Sequence, residues 1–298
     1  MPLVIPLADP ADPRLADYAD VKERQLAVEF GSEGATEVTS PDAPHGKFYA
    51  EGKVVLHHLV RCDYPTLSVL VTPAQLEVNA QDLARLPETV PIYTLPHQMM
   101  EGVIGFTIHR GLLAIGARKK PLTVEQLLTT ARQHGGPLIV LEDLSNHDNI
   151  GAIFRNAAAL DASGILLSPR CADPLYRKSL RVSVGLALRV PWATSQNWPD
   201  DMALLHNFGF QTLALTPNGE RSLADIANPN RKDYVRAAAL MIGAEGPGLR
   251  PQTLQAASHR VTIPMAAGVD SLNAATACAV ALYELARIPS SATFDANQ

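Results

Sequence analysis

Aromatic residues are scarce in this chain, cysteines number three, and no apolar run is long. Aromatics make up 5% of 298 residues, too few for a surface built on many stacked rings. Cys62, Cys171 and Cys278 are scattered and odd in number, which excludes a disulfide framework and zinc-ligand spacing and leaves reduced thiols. Basic residues are also the minority, with 25 Lys and Arg against 30 Asp and Glu for a net charge of -5. That balance argues against a uniformly basic face for a large polyanion. No stretch reaches the ~20 uninterrupted apolar residues of a membrane span, and the Pro-punctuated, acidic N-terminus lacks the basic and apolar regions of a secretory signal. The expectation is a soluble, cytoplasmic protein with no membrane partner and no metal.

What is present is ordinary globular composition, 47% hydrophobic and 18% charged. A chain of this length exceeds what one core usually fills, roughly 100–150 residues, and two domains are expected, 1–118 and 119–298. The first opens with a helix over 15–30 and a Gly/Ser/Thr/Pro-rich loop over 31–46. A small α/β unit follows, with a helix over 54–60, strands over 67–71, 91–95 and 111–116, and a helix opened by Thr72-Pro73. In the second domain, Thr123 with Gln126 three residues on forms a capping box for a helix ending before Gly135-Gly136-Pro137. Apolar runs at 138–141, 164–167, 211–215, 238–242 and 260–263 alternate with helical stretches, the pattern of a mainly parallel sheet covered on both faces. The final helix, over 272–286, is Ala-rich and apolar on most sides, so it must be buried in the core or against a second subunit.

Three ordered segments carry chemistry, each where a strand's C-terminal end meets a loop or helix start. The first is Asn149-Ile150-Gly151-Ala152-Ile153-Phe154-Arg155. A guanidinium there can hold a phosphate or ribose through paired donors, although a surface ion pair also accounts for Arg155 and a helix cap accounts for Asn149. The second, Gly243-Ala244-Glu245-Gly246-Pro247-Gly248-Leu249, has glycines that let backbone amides approach a ligand; a tight turn without ligand is the plainer alternative. Neither a dinucleotide fingerprint nor a Walker loop fits it. The third runs from Ile263-Pro264-Met265 to Ser271-Leu272-Asn273, where Ser and Asn are also natural helix caps.

Together these segments resemble the three signature motifs of the SpoU or TrmH-type RNA methyltransferases, members of the SPOUT class. The resemblance covers about 137–285, including Arg181-Val182-Ser183-Val184-Gly185. Phe48-Tyr49-Ala50-Glu51-Gly52 and His109-Arg110-Gly111-Leu112-Leu113-Ala114 are similar to parts of a smaller domain that many members carry. The implied fold class is α/β, a trefoil-knotted methyltransferase domain with an N-terminal ribosomal-protein-like (L30e-like) domain. The departures are small: Asp270 stands where Glu is more usual, and Ala274-Ala275-Thr276 replaces a Val-Ser/Ala run.

The resemblance implies S-adenosyl-L-methionine as cofactor, bound through backbone groups at Gly243, Ile263 and Leu272, with Thr216, Met265 and Ser271 beside them. It assigns Arg155 to the ribose 2'-hydroxyl and Asn149, Glu245 and Asn273 to the shape of the catalytic site. RNA, ribosomal more readily than transfer, is the implied partner, and a homodimer the implied assembly. Basic side chains at Arg110, Arg118, Lys119, Lys120, Arg177 and Arg181 are the expected RNA contacts, gathered by dimerisation into one groove that leaves the acidic faces outside. Two further readings stand beside the enzyme: a non-catalytic RNA-binding or ribosome-assembly factor that keeps the fold, and a nicotinamide-dependent dehydrogenase, which the glycine pattern disfavours.

Overall fold

The computed structural model describes residues 2–19, 45–105, 108, 111–228, 230–231 and 234–286. These residues separate into two compact units, one of Met1–Lys120 with Asp173–Arg189 and one of Pro121–Ala172 with Val190–Gln298. The expected cut near residue 118 therefore gives only part of the division. A stretch from the second half of the chain, Asp173–Arg189, belongs with the first unit.

The first unit is built on a five-stranded mixed sheet. Its strands are β1 (Val4–Pro6), β2 (Lys47–Glu51), β3 (Thr66–Val71), β4 (Ile92–Thr94) and β5 (Leu112–Ala117), in the order β1-β4-β3-β5-β2. Strand β4 runs parallel to β1 and β3, and β5 runs antiparallel to β3 and β2. Tyr18, Tyr49, Leu70, Met100, Leu113 and Ile115 form its core. Phe48 lies flat over Gly116, where a Cβ would fall 2.2 Å from the ring. Phe48 and Tyr49 are therefore core residues, 2% and 1% exposed. Expectation and structure part at the N-terminus, where Pro13–Leu15 is a single 3-10 turn capped by Asp12. Most of the helix expected over 15–30, the loop over 31–46 up to residue 44, and Phe106, His109 and Arg110 lie outside the described residues.

The second unit holds seven parallel strands. They are β6 (Leu138–Leu141), β7 (Gly164–Leu167), β8 (Trp192–Thr194), β9 (Gln211–Leu215), β10 (Arg221–Ser222), β11 (Ala238–Ile242) and β12 (His259–Thr262), in the order β10-β12-β9-β11-β6-β7-β8. Strands β6, β7 and β11 are buried at every position, which is why they read as unbroken apolar runs rather than alternating ones. From β6 the chain steps outward through β7 and β8, crosses to β9, and later returns to insert β11 between β9 and β6. The sheet order thus reverses at β6, and such a reversal opens a crevice at the carboxyl ends of the strands.

The helix Val124–His134 has both capping-box bonds, between Thr123 and Gln126, and ends at a left-handed Gly135. It packs into a core with Leu138, Val140, Leu166, Leu205 and Met241. The final helix, Ala274–Ala286, lies against the helix His147–Ala159. One side of it is buried through Cys278, Ala281, Leu282 and Leu285, while Val280 and Tyr283 are exposed.

Candidate active site

Strands β9, β11 and β12 end side by side and open onto a cavity of about 380 Å³. Leu215, Ile242, Ile263, Met265, Leu272 and Ala277 give it apolar walls, and Thr216, Gly243, Glu245, Ser271 and Asn273 supply the polar groups. The backbone N–H groups of Gly243, Ile263 and Leu272 donate to nothing among the described residues. A cavity of this size, mostly apolar with a few convergent polar groups, suits a small organic ligand.

The loop after β11 is the wall that the sequence shapes most tightly. A Cβ on Gly243 would sit 2.1 Å from the carbonyl carbon of Gly248 and 2.2 Å from the Leu249 nitrogen, backbone atoms that cannot yield. Gly248 N–H in turn donates to the Ala244 carbonyl at 2.9 Å, and Gly246 and Gly248 adopt φ of 84° and 71°. Glycine alone takes those angles without strain. The loop folds back on itself and leaves Glu245 at the cavity edge.

Glu245 is met there by two amides. Asn149 Nδ2 donates to Glu245 Oε1 at 2.6 Å, and Asn273 Nδ2 donates to Asn149 Oδ1 at 2.9 Å and to Glu245 Oε1 at 3.2 Å. Asn149 is 4% exposed and does not cap its helix; Asn146 does, accepting from the Asp148 N–H. Asn273, by contrast, caps the final helix, its Oδ1 accepting from the N–H groups of Ala275 and Thr276. One side chain therefore starts a helix with its oxygen and closes the polar network with its nitrogen.

A pair of adjacent carboxylates, Glu142 and Asp143, anchors the far end of the same loop. Glu142, fully buried just past β6, accepts the Arg250 N–H at 2.5 Å, Trp198 Nε1 at 2.5 Å and the Thr253 hydroxyl. Asp143, held at φ 57°, takes two guanidinium nitrogens of Arg250 at 3.0 and 2.7 Å, Arg170 at 2.6 Å and the Ser168 hydroxyl at 3.0 Å. Burial pushes the Asp143 carboxyl up, but the bonds from Arg170, Arg250 and Ser168 outweigh it and hold the group below the ordinary carboxylate range.

A profile of the SpoU rRNA Methylase family matches residues 136–283. An uncharacterised tRNA/rRNA methyltransferase of Mycobacterium tuberculosis is 37% identical over 288 residues, 94% of this chain and 91% of its own length. The chain belongs to the SpoU family. Among solved structures, an AdoMet-bound rRNA methyltransferase from Sinorhizobium meliloti superposes with a TM-score of 0.71 at 22% identity, over 95% of this chain and 98% of its own. The SpoU methyltransferase AviRb from Streptomyces viridochromogenes does so with a TM-score of 0.71 at 21% identity, over 93% and 97%.

Within this SpoU chain the structure brings Gly243, Ile263, Leu272, Thr216, Met265 and Ser271 to one cavity and joins Asn149, Glu245 and Asn273 by hydrogen bonds. Arg155 stands apart from that network: it is exposed, and among the described residues its side chain makes no hydrogen bond or ion pair. The basic residues expected to share a groove with Arg110 are partly committed elsewhere. Arg118 is paired with Asp173, Lys119 with Asp63, and Arg177 with Glu51. Sequence reasoning missed Glu142, Asp143 and Asn156, whose Nδ2 donates to the Ala275 carbonyl at 2.9 Å. The signal for the acidic pair was two carboxylates directly after a fully apolar strand.

Two outcomes are expected. Gly243→Ala forces the loop open and lowers stability by roughly 1–3 kcal/mol, measured by urea denaturation. Asp143→Asn keeps a residue that tolerates positive φ but loses the charge, and destabilises the protein by roughly 1–3 kcal/mol at neutral pH. Because the folded carboxyl titrates below its ordinary value of 3.8, its contribution is complete above that value and disappears as pH falls through the depressed one. Denaturation of wild type and variant should therefore converge in acid; a gap independent of pH contradicts the assignment.

Proposed function

We propose that this protein is an S-adenosylmethionine-dependent RNA methyltransferase that methylates a ribose 2'-hydroxyl, with ribosomal RNA as the preferred substrate class. The observation that carries the reading is the cavity itself, in a chain of the SpoU family: three unspent backbone N–H groups beside a carboxylate held by two asparagines. The residues fit the cofactor. Gly243, Ile263 and Leu272 offer backbone donors for its polar edges, Leu215, Met265 and Ala277 offer apolar walls for its flat parts, and the Glu245 carboxylate complements a cationic ligand. When bound, S-adenosylmethionine supplies an electrophilic methyl group on a positively charged sulfur.

The protein's own contribution is orientation, charge placement and exclusion of water. Asn149 and Asn273 fix the Glu245 carboxylate by donating to it, so its negative charge stays at the cavity edge. Arg155 carries an unpaired guanidinium, which offers a fork of donors and no acceptor. Its role is to hold the ribose or an adjacent phosphate and to stabilise negative charge developing on the 2'-oxygen. A trefoil-knotted thread through the seven-stranded sheet, an L30e-like first unit, and a cytoplasmic homodimer that covers Val280 and Tyr283 complete the proposal. The knot rests on the likeness of the three motifs to the SPOUT class, since ordinary sheet connections avoid such threading. The preference for ribosomal RNA rests on the two-unit layout, an analogy of architecture. A non-catalytic RNA-binding factor is the second reading; the intact Asn149, Glu245, Asn273 and Arg155 favour the enzyme.

Calorimetric titration with S-adenosylmethionine separates the two. Wild type should bind about one cofactor per subunit, within the one-pocket geometry described, and mapping of ribose methylation in RNA should find a mark it restores. Arg155→Ala should keep that affinity while losing methyl transfer by roughly 100- to 1000-fold, and Arg155→Lys should recover only part of it. Asn273→Ala should weaken cofactor binding and lower stability by about 1 kcal/mol through the lost cap. Absence of saturable cofactor binding by the wild type sinks the enzyme reading.

A further inference from the structure

We propose that Asn156 is a positioning residue for methyl transfer: it ties the backbone that carries Arg155 to the helix that walls the cofactor cavity. The inference rests on the RNA-methyltransferase reading and names the residue that sets the substrate-gripping group at a fixed distance from that wall.

The Arg155 side chain is exposed and makes no hydrogen bond or ion pair among the described residues. Only the seat of the helix His147–Ala159 therefore decides where its guanidinium starts. That helix packs through Ile150, Ile153, Phe154 and Ala157, all fully buried. Apolar packing is non-directional, so it holds a helix against its neighbour more firmly than it fixes the helix's roll or axial position. A hydrogen bond fixes both, because it weakens steeply away from its preferred distance and angle. Asn149 supplies one such bond to Glu245, but it lies six positions before Arg155, about 9 Å along the axis. Asn156 supplies another and is the residue next to Arg155.

The other end of the Asn156 bond is as well placed. Its Nδ2 donates at 2.9 Å to the carbonyl of Ala275, 119 positions further along the chain and in the first turn of the final helix. Ala275 is buried, and its helix neighbours Ala274 and Ala277 line the cavity together with Leu272. A carbonyl has two lone pairs, so the bond takes nothing from the helix's own ladder. From Arg155 to the cavity wall the connection thus runs through one residue and one bond. A bond that merely joined two helices could fall anywhere along their contact; this one falls beside the arginine at one end and on the cavity wall at the other. In the transfer the ribose 2'-oxygen gains the methyl carbon as the carbon–sulfur bond breaks, the sulfur keeps that electron pair and becomes neutral, and the hydroxyl proton passes to water. Such a displacement tolerates little misplacement, since an error of about 1 Å costs roughly 100-fold in rate.

The test is a double-mutant cycle of Asn156→Ala with Arg155→Ala in the full-length protein, with single-turnover methyl transfer measured on ribosomal RNA and ribosomal subunits from cells that lack the protein. Asn156→Ala alone should slow transfer roughly 10- to 100-fold. Its S-adenosylmethionine affinity, read by calorimetry, should stay within about twofold of wild type, because Asn156 does not line the cavity. In the Arg155→Ala background the same change should cost less than about threefold, since a residue that acts through another adds little once that other is gone. Amide hydrogen exchange over residues 147–159, which needs neither ligand nor activity, should quicken in Asn156→Ala. Asn156→Asp keeps the shape but sets an oxygen against the carbonyl and should behave as Asn156→Ala does, whereas Asn156→Gln keeps the donor on a longer arm and should recover part of the rate. If circular dichroism shows Asn156→Ala unfolded, Asn156→Asp takes its place in the cycle. Equal losses in both Arg155 backgrounds, or unchanged hydrogen exchange, overturn the positioning role and leave the enzyme reading standing. A wild type that transfers no methyl group overturns both.

Discussion

Everything at the cavity depends on a loop that is fixed at both ends by the pairing of two neighbouring strands. The register of β6 against β11 sets Leu141 opposite Ile242, and the Glu142 N–H continues the ladder by donating to the Ile242 carbonyl at 2.9 Å. The same residue's carboxylate then catches Arg250 where the loop ends. One residue therefore bonds to both ends of the Gly243–Leu249 excursion, so the loop's span is dictated by the sheet and not by its own weak internal bonds. A buried carboxylate without partners costs several kcal/mol. With three donors around it, Glu142 makes any loop position that withdraws Arg250 or Thr253 unfavourable.

The second end of the cavity is set by the final helix, and here a single asparagine couples fold to site. Its oxygen satisfies two of the free N–H groups that every helix N-terminus exposes, so Asn273 stays in place for a reason independent of any ligand. Its nitrogen then reaches Asn149 and Glu245. Asn156 adds a bond from the neighbouring helix to the Ala275 carbonyl. Residues that hold two helices together thus also fix the geometry of the carboxylate.

How far the sequence could be read follows from this arrangement. Strands buried on both faces wrote themselves as apolar runs, so β6, β7, β9 and β11 were legible, as was the Thr123–Gln126 capping box. The cavity's polar set was legible as well, through three motifs. Strands β1, β2, β8 and β10 were not: Val4–Pro6 and Trp192–Thr194 are three residues long, Lys47–Glu51 carries a charge at each end, and Arg221–Ser222 is two residues long. The attachment of Asp173–Arg189 to the first unit was hidden for a different reason, since it depends on Glu51 meeting Arg177 across 126 positions of chain.

Arg155 shows why a residue's neighbours in sequence need not be its neighbours in a site. Along the helix His147–Ala159 each position turns by about 100°, so Asn149 and Asn156, seven apart, fall nearly on one stripe, and both bond toward the final helix or the loop beside it. Arg155 precedes Asn156 by one position and so points about 100° away from that stripe, which is why it is exposed and absent from the network. That separation leaves the guanidinium unpaired, as the role proposed for it requires. A guanidinium already paired with a carboxylate would have to break that pair before gripping a phosphate, losing charge-assisted bonds of the strength it was about to form. Left in water beside a fixed polar network, it keeps its full donor fork available, and the helix that carries it is already held in place by the two asparagines.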